Sequence, residues 1–441
     1  MIRTLRLLEQ LASTLLIIAL VSAPSAWAQS ADESAEPAEA TDDIVTEAAE
    51  VAAEPVVEAA PEPVVEAPKE EPPAPAAPAF EPMEPDDSAA NDAARGDLVV
   101  FDGGMAQVAL YGLISAHAAV YTGTDNLLQS GDVAEQPGFR LRYGRFGLHG
   151  WAFGSLEFMI SMETADLQVR PLDAWLSYRP FEVLGITVGA HKVPFSRYAT
   201  IGSDHGSLLE RPLSVNAMSP YRQMGVTLHG SIGNGLASYA VGVYNGLDRH
   251  TNFHEGYVEN AVFEGNRFNK ISFAGRLSLE PFGGIGDDIA DLDGDGFRLA
   301  VGTSVLHNEG STTRATAWSA DLMIKAYGFH LISEYIADTS EPVEDPTTPQ
   351  TIPTQVDRSG LIVGMGYMIL PGQLGISVRG EMFDDDANVD NNGDQLVVTG
   401  GLQYYWHRHH FKVSIDYTHR EELYGASLDN DALLLSAHFA L

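Results

Sequence analysis

The chain of 441 residues contains no cysteine. This absence excludes disulfide bonds and lipid attachment through a cysteine, and it suits an exported chain that crosses an oxidising compartment. The sequence also has no apolar run of about 18 residues, so we expect no transmembrane helix. Segments with the 3.6-residue period of an amphipathic helix are not evident either. These absences favour a β-structured protein.

Catalytic signatures and positive charge are also scarce. The sequence has no G-x-S-x-G, no H-E-x-x-H and no phosphate loop, the local patterns that would place catalytic or phosphate-binding groups together. It carries 25 Lys and Arg against 61 Asp and Glu, a formal net charge of −36. We therefore expect no enzyme, no nucleic-acid partner and no cofactor, apart from the calcium ion considered below.

Residues 1–28 have the features of a secretory signal peptide. Arg3 and Arg6 precede an apolar run at residues 11–21, and an Ala-Trp-Ala cleavage pattern ends at Ala28. The apolar run is short for a membrane-spanning helix, although a signal anchor is the alternative. The sequence therefore predicts export, with the mature chain starting at residue 29.

Residues 29–97 differ sharply in composition from the rest of the chain. Ala, Pro, Glu and Val dominate, and the motif Glu-Pro-Val-Val-Glu-Ala recurs at residues 54–59 and 62–67. Such a segment cannot bury enough apolar surface to offset the entropy cost of ordering it. We predict a disordered acidic leader in the periplasm. Contact of this leader with peptidoglycan or an envelope protein is the functional alternative.

Residues 98–441 contain sixteen short runs with the two-residue alternation of β-strands, each bounded by turn residues. Short and long connections alternate between the runs, which is the layout of an outer-membrane β-barrel with short periplasmic turns and long external loops. A soluble all-β protein is the alternative. The runs lie near residues 105–121, 138–152, 155–168, 171–179, 184–195, 220–231, 236–246, 267–280, 297–307, 315–326, 327–337, 358–369, 373–383, 394–405, 410–419 and 431–441.

The last ten residues, 432–441, form an amphipathic strand that runs to the end of the chain. A final strand of this kind pairs with the first strand in a closed barrel, which leaves no open edge. The predicted fold is therefore an all-β, 16-stranded antiparallel transmembrane β-barrel in the outer membrane of a Gram-negative bacterium. The lipid-facing residues of this strand are predicted to be Leu433, Leu435, Ala437, Phe439 and Leu441.

A barrel of sixteen strands is too wide for its own inward side chains to fill, so an aqueous channel is expected. Such a channel would pass small hydrophilic solutes and ions by diffusion, while its outer surface contacts outer-membrane lipid and lipopolysaccharide. A structural anchor that tethers the envelope through the leader is the alternative function.

Several short motifs in residues 138–246 add a family resemblance. They are residues 139–150 (FRLRYGRFGLHG), 172–176 (LDAWL), 188–196 (VGAHKVPFS), Glu210 with Arg211, Arg222, Gly225, and residues 243–246 (VYNG). In this order and spacing they resemble the phosphate-selective porin O/P family of outer-membrane channels. The resemblance implies a sixteen-stranded barrel, a homotrimer, and a third external loop at about residues 197–220 that folds inward as a constriction.

Basic residues around this loop are the candidates for contact with anions. The barrel region carries a net charge of −19, but basic residues exceed acidic ones near the expected constriction. Fixed cations in a pore would favour phosphate or other anions. The alternative is that these residues pair with acids and hold the loop against the wall. The candidates are Arg142, Arg145, Lys192, Arg197, Arg211 and Arg222.

Two further patterns could bind metal ions. Asp291, Asp293 and Asp295 match the first half of a calcium loop, D-x-D-x-D-G, although the bidentate glutamate at the twelfth position is missing. A solvated Asp/Gly turn is the alternative there. His407, His409 and His410 crowd another connection and could bind a transition metal, but an interfacial aromatic and polar belt is favoured.

Overall fold

The computed structural model describes residues 98–121, 137–165, 169–248, 256–257, 270–343 and 355–441. The predicted signal peptide and leader, residues 1–28 and 29–97, lie outside the described residues. No helix in the described ranges is long and apolar enough to cross a bilayer.

The described residues form seventeen strands and two short helices. The helices are α1 (Arg197–Thr200) and α2 (Leu213–Met218). The strands are β1 (Leu98–Asp102), β2 (Ala106–Tyr121), β3 (Gly138–Ala152), β4 (Leu156–Glu163), β5 (Arg170–Phe181), β6 (Leu184–Lys192), β7 (Arg222–Ile232), β8 (Ala237–Asn245), β9 (Ile271–Leu279), β10 (Arg298–Glu309), β11 (Thr313–Ala326), β12 (Phe329–Pro342), β13 (Val356–Leu370), β14 (Leu374–Asp384), β15 (Gln395–His407), β16 (Phe411–Glu422) and β17 (Ala432–Ala440).

Strands β2 to β17 form a closed antiparallel barrel. Each strand pairs with the next along the chain, and β17 closes the ring on β2 in a register that runs from Ala432 opposite Tyr121 to Ala440 opposite Leu113. The N–H of Leu441 donates to the carbonyl of Gly112 at 2.9 Å, which extends this seam by one residue. The predicted sixteen-stranded barrel is confirmed, and its strands correspond one by one to the sixteen predicted runs.

Strand β1 was not predicted. It pairs antiparallel with β2, with Leu98 opposite Leu110 and Asp102 opposite Gln107. Strand β17 pairs with β2 only from Leu113 onward. One edge of β2 pairs with β3. On the other edge, β17 pairs with the C-terminal part of β2, and β1 pairs with its N-terminal part. The barrel seam is thus completed by two separate strands.

The two faces of the strands differ as the alternation predicts. In β16, Lys412, Ser414 and Asp416 are buried inside, whereas Val413 and Ile415 are exposed on the outside. The exposed fraction falls from 38% at Ile415 to 1% at the neighbouring Asp416. An apolar outer face and a polar inner face are what a β-barrel in lipid requires.

The interior of the barrel also contains a hydrophobic cluster that the alternation did not predict. It includes Ile332 and Ile336 of β12, Ile362 of β13 and Phe383 of β14, all of which point inward and are almost fully buried. They pack against apolar residues of the segment that connects β6 to β7. Part of the lumen is therefore filled by a folded loop, and the wall carries apolar residues where this loop packs.

Candidate functional site

The segment that fills part of the lumen is residues 193–221, which we call the inner loop. It links β6 to β7 and contains α1 and α2. Phe195, Val215 and Met218 are at or below 2% exposure, so the loop has an apolar side that packs on the wall. This is the loop that the family resemblance implied would fold inward, and the structure places it there.

One buried carboxylate of the wall binds the start of α1. Glu334 of β12 accepts the backbone N–H of Arg197 and that of Tyr198, each at 3.1 Å. The first N–H groups of a helix have no partner within the helix, so an acceptor placed there satisfies them. Glu334 is fully buried in the wall, and its two hydrogen bonds fix the start of α1 there.

The same arrangement recurs at two other points of the inner loop. Glu381 of β14 accepts the backbone N–H of Leu213 at 2.9 Å and that of Ser214 at 2.6 Å, at the start of α2. Asp416 of β16 accepts the N–H of Leu209 at 2.6 Å. Three acids on the inner face of the wall are therefore bound to loop backbone.

Wall cations bind the carbonyl groups of the inner loop. Lys412 of β16 donates to the carbonyl of Asp204 at 2.6 Å and to that of Gly206 at 3.0 Å. Arg379 of β14 donates to the carbonyl of Glu210 at 2.7 Å. Both the donors and the acceptors of the loop backbone are thus matched by ionisable side chains of the wall.

Two of the six predicted cations hold the inner loop from β3. Arg142 binds the carboxylate of Glu210, with Nε 3.0 Å from Oε1 and Nη2 3.1 Å from Oε2. Arg145 pairs with Glu163 of β4 at 2.7 Å, and its Nη1 donates to Ser203 of the loop at 2.7 Å. Both contacts match the alternative that these residues connect loop and wall.

Glu210 is the acidic centre of this contact. Burial alone would raise its pKa, but Arg142, His117 and Arg140 outweigh that effect, so the pKa lies below its ordinary value. Arg140 donates to Glu210 at 3.1 Å, in addition to the bidentate Arg142. The Glu210 carboxylate therefore stays ionised at neutral pH.

Arg197 is also part of a buried ion-pair network. Its Nε binds Asp321 of β11, and its Nη2 donates to Ser278 of β9 at 2.9 Å. Arg276 of β9 shares the same carboxylate, with Nη1 2.7 Å from Oδ2. The exposed fraction of Arg197 is 8%, so it anchors α1 and presents little charge to a passing solute.

The other three candidate cations lie on one side of the inner loop. They are Lys192, Arg211 and Arg222, and we call them the cationic patch. Lys192 of β6 lies directly opposite Arg222 of β7, and the charge of Arg211 also acts on Lys192. Arg222 pairs with Asp173 at 2.8 Å. All three cations of the patch are partly exposed.

Two members of the cationic patch have only uncharged oxygen partners within the described residues. Lys192 donates to the carbonyl of Thr200 at 2.6 Å, and Arg211 donates to the carbonyl of Ile201 at 2.7 Å and lies 4.9 Å from the ring centre of Tyr221. Carbonyl groups orient a cation without cancelling its charge. Arg211 therefore supplies positive charge to the patch.

The connection between β9 and β10, residues 280–297, enters the barrel from the opposite end; we call it the lower plug. Ile285, Ile289 and Leu292 are buried at 5% exposure or less. Lys325 of β11 donates to the carbonyl of Ile285 at 2.9 Å. The lower plug also meets the inner loop, because the N–H of Ile289 donates to the carbonyl of His205 at 3.1 Å.

The three aspartates predicted to bind calcium lie in the lower plug, and each has a different environment. Asp291 is buried and accepts the N–H of Gly328 at 2.7 Å. Asp293 pairs with Arg408 at 2.6 Å, and the side chain of Asp295 is 67% exposed. In the described part of the chain, these carboxylates are not among the groups that converge as metal ligands would. Binding of calcium here stays a prediction.

The three histidines predicted to crowd one connection separate in the structure. His407 is exposed, and His410 lies 3.0 Å from the carbonyl of Ala440. Only His409 turns into the barrel, where its Nε2 is 3.1 Å from Asp288 of the lower plug. His205 of the inner loop contacts the same carboxylate through Nδ1.

The charges around His205 favour its protonated form. Burial would lower the pKa of His205, but the carboxylate of Asp204, at 3.1 Å from Nε2, and the hydrogen bond to Asp288 raise it to about 9. Burial and the charge of Lys412 lower the pKa of His409 to about 4. The junction of inner loop and lower plug is thus held by a charged His205 between two carboxylates.

The wall carboxylates that hold the inner loop and the inward course of the lower plug were not predicted from the sequence. Alternation along a strand can place side chains such as Glu334, Glu381 and Asp416 on the inner face, but it gives no information on what lies opposite. The length of the 280–297 connection, on the side of the short turns, is the signal that could have pointed to the lower plug.

Residues 118–270 match the family model of phosphate-selective porin O and P. The resemblance to that family is thereby confirmed for this segment, which contains all six predicted cations and the inner loop. The lower plug lies beyond it. No curated protein matches the chain.

Solved structures of outer-membrane channels share the barrel fold. OmpF of Salmonella typhi, in complex with daunomycin, aligns with a TM-score of 0.51 and 12% identity over 77% of this chain and 99% of that chain. The outer-membrane channel DcaP of Acinetobacter baumannii gives 0.50 and 14%, over 77% and 99%. The trimer form of Vibrio cholerae OmpT gives 0.50 and 10%, over 76% and 99%. At these identities the comparison establishes the fold.

Proposed function

We propose that the protein is an outer-membrane porin through which small hydrophilic solutes and ions diffuse passively. The observation that carries this proposal is a closed sixteen-stranded barrel, apolar outside and polar inside, with a loop of the matched family segment docked in its lumen. Solutes would pass where the inner loop leaves space beside the wall. Selection there depends on pore radius and on the local field.

The cationic patch is the proposed determinant of ion preference. Arg211 presents its positive charge beside the inner loop with backbone carbonyls as hydrogen-bond acceptors, whereas Arg142, Arg145 and Arg197 are occupied in holding that loop. A fixed positive charge lowers the energy of a passing anion, phosphate included. Acidic residues elsewhere in the barrel limit this preference, so we propose weak rather than strong anion selectivity.

The proposed assembly is a homotrimer in the outer membrane of a Gram-negative bacterium. It is supported by the family resemblance and by the trimer form of the OmpT structure that shares the fold. The exposed apolar residues of the outer face would contact outer-membrane lipid, lipopolysaccharide and neighbouring subunits. Contact of the leader, residues 29–97, with peptidoglycan remains a proposal that concerns residues outside those described.

Planar-bilayer recording on the refolded full-length mature protein tests the channel function. We expect stepwise increases of conductance, and a reversal potential in a potassium chloride gradient that indicates weak anion preference. Trimers that are correctly folded but do not conduct would overturn the channel and favour the structural anchor. Strong cation preference would leave the channel standing but overturn the role of the cationic patch.

A further inference from the structure

Three separate parts of the chain bring metal-ligating side chains together where the inner loop meets the lower plug. His205 belongs to the inner loop, Asp288 to the lower plug, and His409 to the connection between β15 and β16. One ligand atom from each side chain lies within 4.8 Å of the other two, and this is the single such group in the described ranges. We propose that His205, Asp288 and His409 bind a divalent transition metal of the zinc class.

The three ligand atoms lie close enough together for one zinc ion to bind them after small side-chain movements. Zinc binds imidazole nitrogen at about 2.0–2.1 Å in a tetrahedral set, so neighbouring ligand atoms lie roughly 3.3 Å apart. The Nε2 of His409 is 3.1 Å from Oδ1 of Asp288, and Nδ1 of His205 contacts the same oxygen. Small side-chain movements would let all three atoms face one ion, with water as the fourth ligand.

The surroundings of His205 resemble those of a metal ligand. Its other ring nitrogen, Nε2, lies 3.1 Å from the carboxylate of Asp204. In metal sites a carboxylate commonly accepts the second N–H of a ligating histidine, which orients the ring and strengthens the ligand. The backbone of His205 is also fixed, because its carbonyl accepts the N–H of Ile289. Zinc must displace the proton that His205 carries.

His409 supplies an independent observation. It is 7% exposed, and its Nε2 is a buried polar atom to which no hydrogen bond of good geometry is made in the described structure, although Asp288 is near. A buried nitrogen without such a bond is costly unless something else binds it. A metal ion between His409, Asp288 and His205 would satisfy it.

Positive charges near the site set a limit on its affinity. Lys412 Nζ lies 3.5 Å from Nδ1 of His409, and Arg408 lies 3.9 Å from Oδ2 of Asp288. Lys412 also donates hydrogen bonds to the carbonyls of Asp204 and Gly206, so its ammonium group is fixed by the inner loop. These charges favour an exchangeable ion over a permanently bound one.

The site is reachable from the mouth at which the lower plug enters the barrel. The side chain of Asp288 is 22% exposed and that of Arg408 is 52% exposed. A bound ion would join the inner loop, the lower plug and the connection after β15. We therefore expect zinc to restrain the inner loop from the side opposite to its attachment to β6 and β7.

Equilibrium dialysis of zinc against the full-length trimer in detergent, after removal of metal with a chelator, tests the proposal. We expect saturation at one zinc per chain. Replacement of a ligand, in His205→Gln or His409→Gln, should weaken binding by at least about tenfold, and Asp204→Asn by roughly tenfold. The matched control is His407→Gln, at the exposed last residue of β15, which should bind as the unchanged protein does.

Two results would overturn the proposal. One is the absence of saturable zinc binding at one ion per chain. The other is equal binding by the His205→Gln/His409→Gln double variant, which would place the zinc elsewhere. Because these variants could fail to assemble, X-ray absorption of the zinc-loaded unchanged protein gives a second measurement. Two imidazole ligands at about 2.0 Å support the site, and a shell without imidazole contradicts it.

Discussion

Gly360 of β13 and Ser214 of α2 lie in contact so close that no side chain fits between them. A Cβ atom added to Gly360 would be 2.2 Å from Cβ of Ser214 and 2.3 Å from its Oγ. Ser214 is fully buried, and its backbone N–H is bound by Glu381. The inner loop can therefore approach the wall at this point only because residue 360 has no side chain.

Gly360→Ala should displace the start of α2 from the wall. Overpacking of a dense contact typically costs about 1–3 kcal/mol. We expect faster proteolytic cleavage of the inner loop and a changed single-channel conductance in a barrel that still assembles. Gly400→Ala is the matched control, because nothing lies within 4 Å of a Cβ added at that strand glycine. Equal behaviour of the two variants would contradict the close contact.

Glu381→Gln should weaken the attachment of α2. The carboxylate accepts the N–H groups of Leu213 and Ser214, whereas an amide offers one oxygen and turns an NH₂ group toward the second donor. Hydrogen bonds to charged groups contribute about 1.5–3 kcal/mol each. We expect faster hydrogen exchange at the amides of residues 213 and 214. The control is Glu421→Gln, at an exposed residue of β16; unchanged exchange in Glu381→Gln would refute the role of this carboxylate.

The strands could be predicted from the sequence because their signal is local. Inside-outside alternation repeats every two residues, so each strand, such as β16 with Lys412, Ser414 and Asp416 inward, carries its own assignment. Strand β1 was missed because all five of its residues are exposed and no alternation marks it. The lower plug was missed because its docking depends on partners far away in the chain, such as Lys325 for Ile285.

The candidate site was predictable as a set of residues but not as a set of roles. All six candidate cations lie around the inner loop, the loop that the family resemblance implied. Whether a cation holds the loop or keeps an unneutralised charge depends on its partner. Arg197 binds the carboxylate of Asp321, whereas Arg211 binds backbone carbonyls. Asp321 lies 124 residues from Arg197 along the chain, and spacing in the sequence does not show that the two side chains meet.

Arg211→Gln should reduce the preference for anions. Arg211 is partly exposed and binds uncharged oxygens, so its removal takes away charge while the barrel remains intact. A unit charge at 4 Å in water is worth about 1 kcal/mol, so we expect at most a roughly fivefold shift in permeability ratio per residue. The reversal potential in a potassium chloride gradient measures this shift.

Arg314→Gln is the control for the loss of a positive charge. Arg314 lies at the start of β11, is 46% exposed, and sits beside Glu309 and Glu341, away from the inner loop. We expect its removal to leave the reversal potential almost unchanged in 0.15 M salt, where charges beyond about 8 Å are screened. A shift as large as that of Arg211→Gln would mean that general surface charge, and not the cationic patch, sets ion preference.

Acidification should release the inner loop from β3. The pKa of Glu210 is depressed below its ordinary value, because Arg142, His117 and Arg140 together outweigh the effect of burial. A depressed folded-state pKa gives stability that is present above the unfolded pKa, near 4.3 for glutamate, and is lost as the pH falls through the folded value. We expect proteolytic sensitivity and conductance noise of the inner loop to rise below about pH 5 in the unchanged protein. Glu210→Gln should show the loosened loop already at pH 7, with a smaller further change on acidification. An inner loop that is equally protected at pH 7 and pH 3 would show that the contact between Glu210 and Arg142 does not hold it.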